Sequence, residues 1–237
     1  MGKNSMNAFY LCLLIVMVAD FVVAVDFNQD ILTNLTAVMK NKADARNIMV
    51  KADWSEIGAI FKANSFDLVL GDNSLVNIPH DKQIQVIKDL SSLLKPSGYL
   101  IARNPVFLPK KSRQSLEQIQ KNYSNFHLDW RWLIVEIGFY SKLKNKIFDS
   151  KSKIMSWAKG FDVLFARLNK KEFRVRSADC NNLKNLRQHA SQCLWFLFSD
   201  KDWQNLIGKF FIIKDRVAVK NLYWTDYAPM WVLRKKS

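Results

Sequence analysis

The run Phe66-Asp67-Leu68-Val69-Leu70-Gly71-Asp72-Asn73-Ser74-Leu75 decides how the rest of the chain is read. Its apolar core ends abruptly at Gly-Asp-Asn. A strand with one wet face alternates apolar and polar residues. A continuous apolar run has both faces covered, as strands inside parallel sheets do. Ligands of open α/β sheets gather at the carboxyl ends of such strands. Asp72 and Asn73 therefore stand at the expected edge of a site.

Working outward, Asp81 to Leu94 places Ile84, Val86, Ile87, Leu90, Leu93 and Leu94 at helical spacing. Lys95-Pro96-Ser97-Gly98 then punctuates the chain, and Tyr99 to Arg103 reads as another apolar strand. Upstream, Phe21 to Val25 reads as a buried parallel strand with Asp26 at its carboxyl end. Gln29 to Lys40 carries Ile31, Leu32, Leu35, Val38 and Met39 at helical spacing, with Asn28 or Asp30 as its cap. Asn47 to Lys51 is a short strand leading into Ala52-Asp53-Trp54, and Ser55 to Ala63 a short helix or turn. Strand, helix, strand, strand, helix, strand is the order of an α/β sheet with parallel crossovers.

From Leu108 to about Lys171 the pattern turns helical and aromatic, with Trp130, Trp132, Phe139, Tyr140, Phe148, Trp157 and Phe161. Those rings suit the core of a helical insertion better than a stacking platform. Leu183 to Phe198 reads as a further helix; Phe210 to Ile213, Arg216 to Val219 and Met230 to Leu233 read as closing strands. The expected fold is a single α/β domain over residues 1–237. Its Rossmann-like, mostly parallel sheet is flanked by helices, with residues 108–171 as a helical, basic insertion or cap.

Charge is unevenly spread. Through Phe107 ten Lys/Arg balance ten Asp/Glu, whereas from Leu108 onward 26 face 11, so the whole excess of +15 lies in the second part. Such a half suits an anionic partner, such as nucleic acid or an acidic substrate, or simply a solvated basic surface. With 49% hydrophobic residues, disorder is excluded as the dominant state. Cys12, Cys180 and Cys193 form no disulfide framework, which fits a reducing, cytoplasmic setting. Cys180, His189 and Cys193 lack metal-ligand spacing, so no metal is expected. Leu11 to Val18 is apolar, but Asp20 interrupts the run short of the roughly 20 residues a membrane span needs. Export or anchoring is the weaker reading of this segment. His80 follows the site loop and is read as a solvated residue at a helix start.

Four pieces in order now carry a resemblance: Val22-Val23-Ala24-Val25-Asp26-Phe27; Ala52-Asp53-Trp54; Phe66 to Leu75; and Leu94-Lys95-Pro96-Ser97-Gly98-Tyr99-Leu100-Ile101. Tyr227 to Leu233 joins them at the far end. Together they resemble a class I S-adenosylmethionine-dependent methyltransferase. The resemblance implies S-adenosylmethionine as cofactor and an acceptor it does not name. It likens Asp26 to the family's ribose-binding carboxylate, with Phe27 beside it, and Asp53 to the acidic residue that takes the adenine amino group. Trp54 would flank the ring, and Asp72 and Asn73 would lie near the methionine end. Each aspartate also has a plainer role, as a cap for the turn or helix that follows its strand. No catalytic base is implied, because methyl transfer depends mainly on alignment.

The family's glycine-rich loop should precede Asp26. Gly2 is the only glycine before it. The chain thus resembles a methyltransferase shortened at its N-terminus, lacking the first strand and its loop, with reduced or lost activity. The other reading is a non-catalytic basic module binding nucleic acid or a protein partner. A sheet short of one strand would also favour a homodimer through the open edge.

Overall fold

The computed structural model describes residues 22–26, 28–30, 32–33, 47–108, 114–125, 130–140, 144–190, 193–218 and 228–236. Leu11 to Val18, Phe27 and most of the expected Gln29–Lys40 helix lie outside these residues. So do the question of a first strand and the side chains of Trp130, Trp132, Phe139, Tyr140 and His189.

Two strands open the described chain, β1 (Val22–Asp26) and β2 (Asn47–Lys51), paired in parallel with Asp26 opposite Lys51. Every residue of β1 is half-buried rather than fully covered. The principal sheet runs β10-β11-β4-β3, where β3 is Phe66–Asp72, β4 Leu94–Arg103, β10 Phe211–Val217 and β11 Met230–Lys235. β3 and β4 are parallel; β11 lies antiparallel to both its neighbours, so it alone runs against the others in this sheet.

Helix α2 (His80–Leu93) bridges β3 and β4, after a single short turn of helix α1 (Ile57–Ile60). α2 buries Val86, Ile87, Leu90 and Leu93 against Leu94, Leu100, Ala102, Trp203, Trp231 and Leu233. Ile84 does not join them. It is 48% exposed, while Gln83 is 1% exposed. The buried stripe is Gln83, Val86, Ile87 and Leu90, a helix face of ordinary phase from which Ile84 is turned away.

The Lys95–Gly98 turn is absorbed into β4 as an irregularity, where the register with β3 shifts between Phe66 and Leu68. Ser97 has φ 70°. At Gly98 a Cβ would stand 3.0 Å from the Lys95 carbonyl and 3.2 Å from that of Asp67, so a side chain there would press on both carbonyls where the two strands close.

The second part builds its own core. Helices α3 (Leu116–Asn125), α4 (Trp130–Tyr140), α5 (Lys144–Ile147), α6 (Trp157–Asn169) and α7 (Ser177–His189) surround it. Phe148, Trp157 and Phe161 are buried there, with Ile119, Leu133, Ile134 and Leu164. The cluster continues beyond Lys171 through Phe173, Leu183, Trp195 and Leu197. A small antiparallel sheet completes this cap: β6 (Phe148–Asp149), β7 (Ile154–Ser156) and β8 (Leu194–Phe196). The expected helix to Phe198 therefore stops at His189. Likewise the two strands expected over 210–219 are one, β10, with a register shift between Ile213 and Asp215. Short β5 (Val106–Phe107) pairs in parallel with β9 (Phe198–Ser199), and α8 (Asp200–Ile207) returns the chain to the sheet.

Candidate functional site at the strand ends

Asp26 closes β1, and its backbone carbonyl accepts a hydrogen bond from Ala52 N–H at 3.1 Å, which fixes it beside the end of β2. The carboxylate is half-buried. Its Oδ1 accepts from Asn28 N–H at 2.8 Å, and its other oxygen has no partner among the described residues. Asp53 follows one turn on. It caps the Trp54–Glu56 turn by accepting from Ser55 N–H at 2.7 Å, and this bond, with help from the Ser55 side chain and Lys82, holds its carboxyl below the ordinary range.

Trp54 is half-buried, and its ring lies 3.9 Å from where a Cβ on Gly71 would stand. Because Trp54 follows the end of β2 and Gly71 precedes the end of β3, this contact brings the carboxyl ends of the two sheets together. The sequence placed Asp26, Asp53 with Trp54, and Gly71 in three separate pieces; the fold gathers them on one edge.

At the end of β3, Asp72 is already engaged. Arg103, its register partner on β4, donates to it through Nε and Nη2 at 2.6 Å each. Asn73 sits at φ 54°, a left-handed turn that asparagine tolerates. Its N–H donates to the Arg103 carbonyl at 2.9 Å, its carbonyl accepts from Asn77 Nδ2 at 2.9 Å, and its buried Oδ1 has no partner. Phe27, the remaining residue singled out in the sequence, lies outside the described residues.

Two residues that the sequence did not mark as functional lie in the first turn of α2, just after this edge. Gln83 Nε2 faces the carbonyls of Leu75, Ile78 and Phe196 at 2.9, 2.7 and 3.2 Å, tying the site loop to the cap strand β8. His80 is not the solvated residue expected of a helix start. Its ring meets Phe196 and Phe198 edge-on at centroid distances of 5.8 and 4.6 Å. Both ring nitrogens are buried without a hydrogen-bond partner. Burial, then the charge of Lys153, pushes the imidazole below its ordinary value and keeps it neutral near pH 7; the nearby backbone of Ser152 and Lys153 and the Gln83 amide oppose the shift without reaching hydrogen-bonding geometry. The phase of Val86, Ile87 and Leu90 points back to Gln83 at i−3, a signal present in the sequence. Nothing there announced the burial of His80, because the cap strands that cover it come more than a hundred residues later.

Solved structures match the architecture. A Pyrococcus horikoshii protein, PH0226, aligns at 17% identity and TM-score 0.54, over 97% of this chain and 78% of that one. A Rhodobacter sphaeroides protein provisionally assigned to the zinc-dependent alcohol dehydrogenases aligns at 15% and 0.54, over 92% and 76%. The Burkholderia thailandensis 1,6-didemethyltoxoflavin-N1-methyltransferase, solved with its substrate and S-adenosylhomocysteine, aligns at 13% and 0.51, over 98% and 68%. At such identities the likeness is one of fold, and a fold hosts many chemistries. No curated protein matches the chain. Residues 7–102, about two fifths of the chain, match the model of the methyltransferase domain family.

The fold is class I methyltransferase-like.

The methyltransferase domain, as matched, spans β1 through nearly all of β4, and so contains Asp26, Asp53, Trp54, Asp72 and Asn73. Among the described residues no three His, Cys, Asp or Glu side chains cluster as a metal site, and no helix is long and apolar enough to cross a membrane.

Proposed function

We propose that this methyltransferase domain binds S-adenosylmethionine at the joined strand ends and transfers its methyl group to an acceptor admitted beneath the cap. The observation that carries the reading is the Trp54–Gly71 contact. It supports a shared edge at the ends of β2 and β3, to which the half-committed Asp26 carboxylate, the Asp53 cap and the unpartnered Asn73 Oδ1 are adjacent in the chain.

The residues present fit such a cofactor. The free oxygen of Asp26 accepts from ribose hydroxyls while its partner oxygen is held by Asn28. Trp54 offers an apolar face to the adenine, and Asp53 an acceptor to its amino group. Asn73 Oδ1, desolvated and unmatched, supports a polar contact at the methionine end. Bound there, the cofactor supplies an electrophilic methyl group on a sulfonium. The domain's own task is alignment and exclusion of water. Asp72 contributes through its pair with Arg103, which fixes the turn that presents Asn73.

Calorimetric titration with S-adenosylmethionine tests this. Micromolar binding to the wild-type chain, weakened at least tenfold by Asp26→Ala, supports the assignment. Absence of binding to the wild-type chain overturns it.

A further inference from the structure

The positive charge of the second part is concentrated, and left unneutralised, where α6 leads into α7. Residues 167–176 hold Arg167, Lys170, Lys171, Arg174 and Arg176. Arg167 pairs with Glu172, and Arg176 with Asp179. Lys170, Lys171 and Arg174 are exposed and meet no carboxylate among the described residues. The connection is docked on the cap, because Gln120 of α3 accepts from Arg174 N–H at 2.7 Å. Its three open cations are therefore presented from a fixed backbone.

Helix α7 continues this surface. Its inner side buries Asp179 and Leu183, and its outer side exposes Asn181, Asn182, Lys184, Asn185, Arg187 and Gln188. Asp179 is the helix's one acidic residue and is 8% exposed. The outer face thus carries two cations and four amides without an acid. A face that is merely solvated ordinarily mixes acids with bases three or four residues apart.

We infer that this face of the cap binds a nucleic acid duplex. Lys170, Lys171, Arg174 and Lys184 contact phosphates, and the amides of α7 reach the backbone or base edges alongside. The rings nearby decide against a single strand, whose bases would stack on exposed aromatics. Tyr123, Phe161 and Phe173 are buried, and the Arg187 guanidinium, held by Asp162 at 2.7 Å, lies over Phe165 at 5.0 Å. An acidic membrane surface would call for large apolar side chains among the cations. None of the exposed large apolar residues lies on α7.

This surface is independent of the cofactor reading, and its test omits S-adenosylmethionine, so either can fail alone. Fluorescence anisotropy follows binding of short labelled DNA and RNA duplexes to the full chain over a range of salt. Four neutralised phosphates give a slope of log affinity against log salt of about −3.6 on DNA, and Lys170→Ala/Lys171→Ala/Arg174→Ala should flatten it by about 2.7. Lys62→Ala/Lys88→Ala/Lys209→Ala removes the same charge from exposed lysines elsewhere and should keep the wild-type slope. Asn181→Ala/Asn185→Ala should weaken binding with the slope unchanged. The tighter of the two duplexes tells DNA from RNA. Equal losses in the two triple variants would mean that net charge alone acts, and would overturn the inference. So would no duplex binding at low salt, or binding to phosphatidylserine vesicles but not to duplexes. Unchanged affinity in the asparagine variant overturns the placement of α7 against the duplex.

Discussion

Arg103 grips Asp72 through two nitrogens, each 2.6 Å from its oxygen, across the parallel pair that forms the middle of the site edge. The arginine side chain is 16% exposed and the aspartate 46%, so the pair is partly screened by solvent. Its planar fork explains why arginine stands there, since lysine makes a single point contact. Arg103→Lys should cost about 1 kcal/mol of stability or less, and Asp72→Asn a similar amount. Urea unfolding of both variants, repeated at high salt, checks this. The losses should shrink with salt.

Gln83 makes a stronger demand. Its buried amide serves three carbonyls, and Gln83→Leu leaves at least two of them dry and unpaired. We expect a loss of about 2 kcal/mol, from the cost of unsatisfied buried acceptors. Hydrogen exchange should report faster opening of residues 194–196 than of β3 or β4, because only the cap loses its tie.

The buried imidazole gives a pH signature. Its folded pKa lies below the ordinary value of about 6.5, first through burial and then through Lys153. Above 6.5 both folded and unfolded His80 are neutral, and the group adds no pH dependence. Below 6.5 the unfolded chain takes a proton that the folded chain refuses, so stability falls with pH until the folded pKa is reached. Thermal unfolding at pH 7.5 and 5.5 should show this drop in the wild type, and a smaller one in His80→Gln.

In the cap, Tyr123 donates to Asp179, and Arg176 Nε reaches Asp179 at 2.6 Å while its guanidinium covers the tyrosine ring at 4.9 Å. This ties α3 to the start of α7. Tyr123→Phe should destabilise by about 1–3 kcal/mol, since Asp179 is itself buried. Burial, then Asp179, pushes the phenol above its usual 10. The unfolded chain therefore ionises first as pH rises past 10, and stability falls there in the wild type but not through this residue in the variant.

Much of the sheet was legible because continuous apolar runs closed by Asp or Gly-Asp read as strands of a parallel sheet, although β1 and β3 are half-buried or exposed along their length rather than covered on both faces. The carboxyl-end aspartates followed from the same pattern. What the sequence concealed depends on distant partners. Asp72 looked like an available carboxylate until β4 brought Arg103 beside it. Gln83 and Ile84 exchanged their expected environments, because three backbone carbonyls rewarded a buried amide that hydrophobicity alone would expel. The small sheet of the cap escaped notice for a simpler reason: strands of two and three residues are too short to show a period.

The place of β11 sets the timing of assembly. This strand lies between β4 and β10, yet its residues, 230–235, are made last among the described elements. Until they leave the ribosome, β4 keeps one edge open and β10 has nothing to pair with. Closing that gap joins Ala102 to Trp231 across a very long loop, a contact that costs entropy before it returns any packing. A nascent chain therefore carries an unfinished sheet from the synthesis of β4 until β11 has emerged. Such long-range pairing favours a slow, late closure of the sheet.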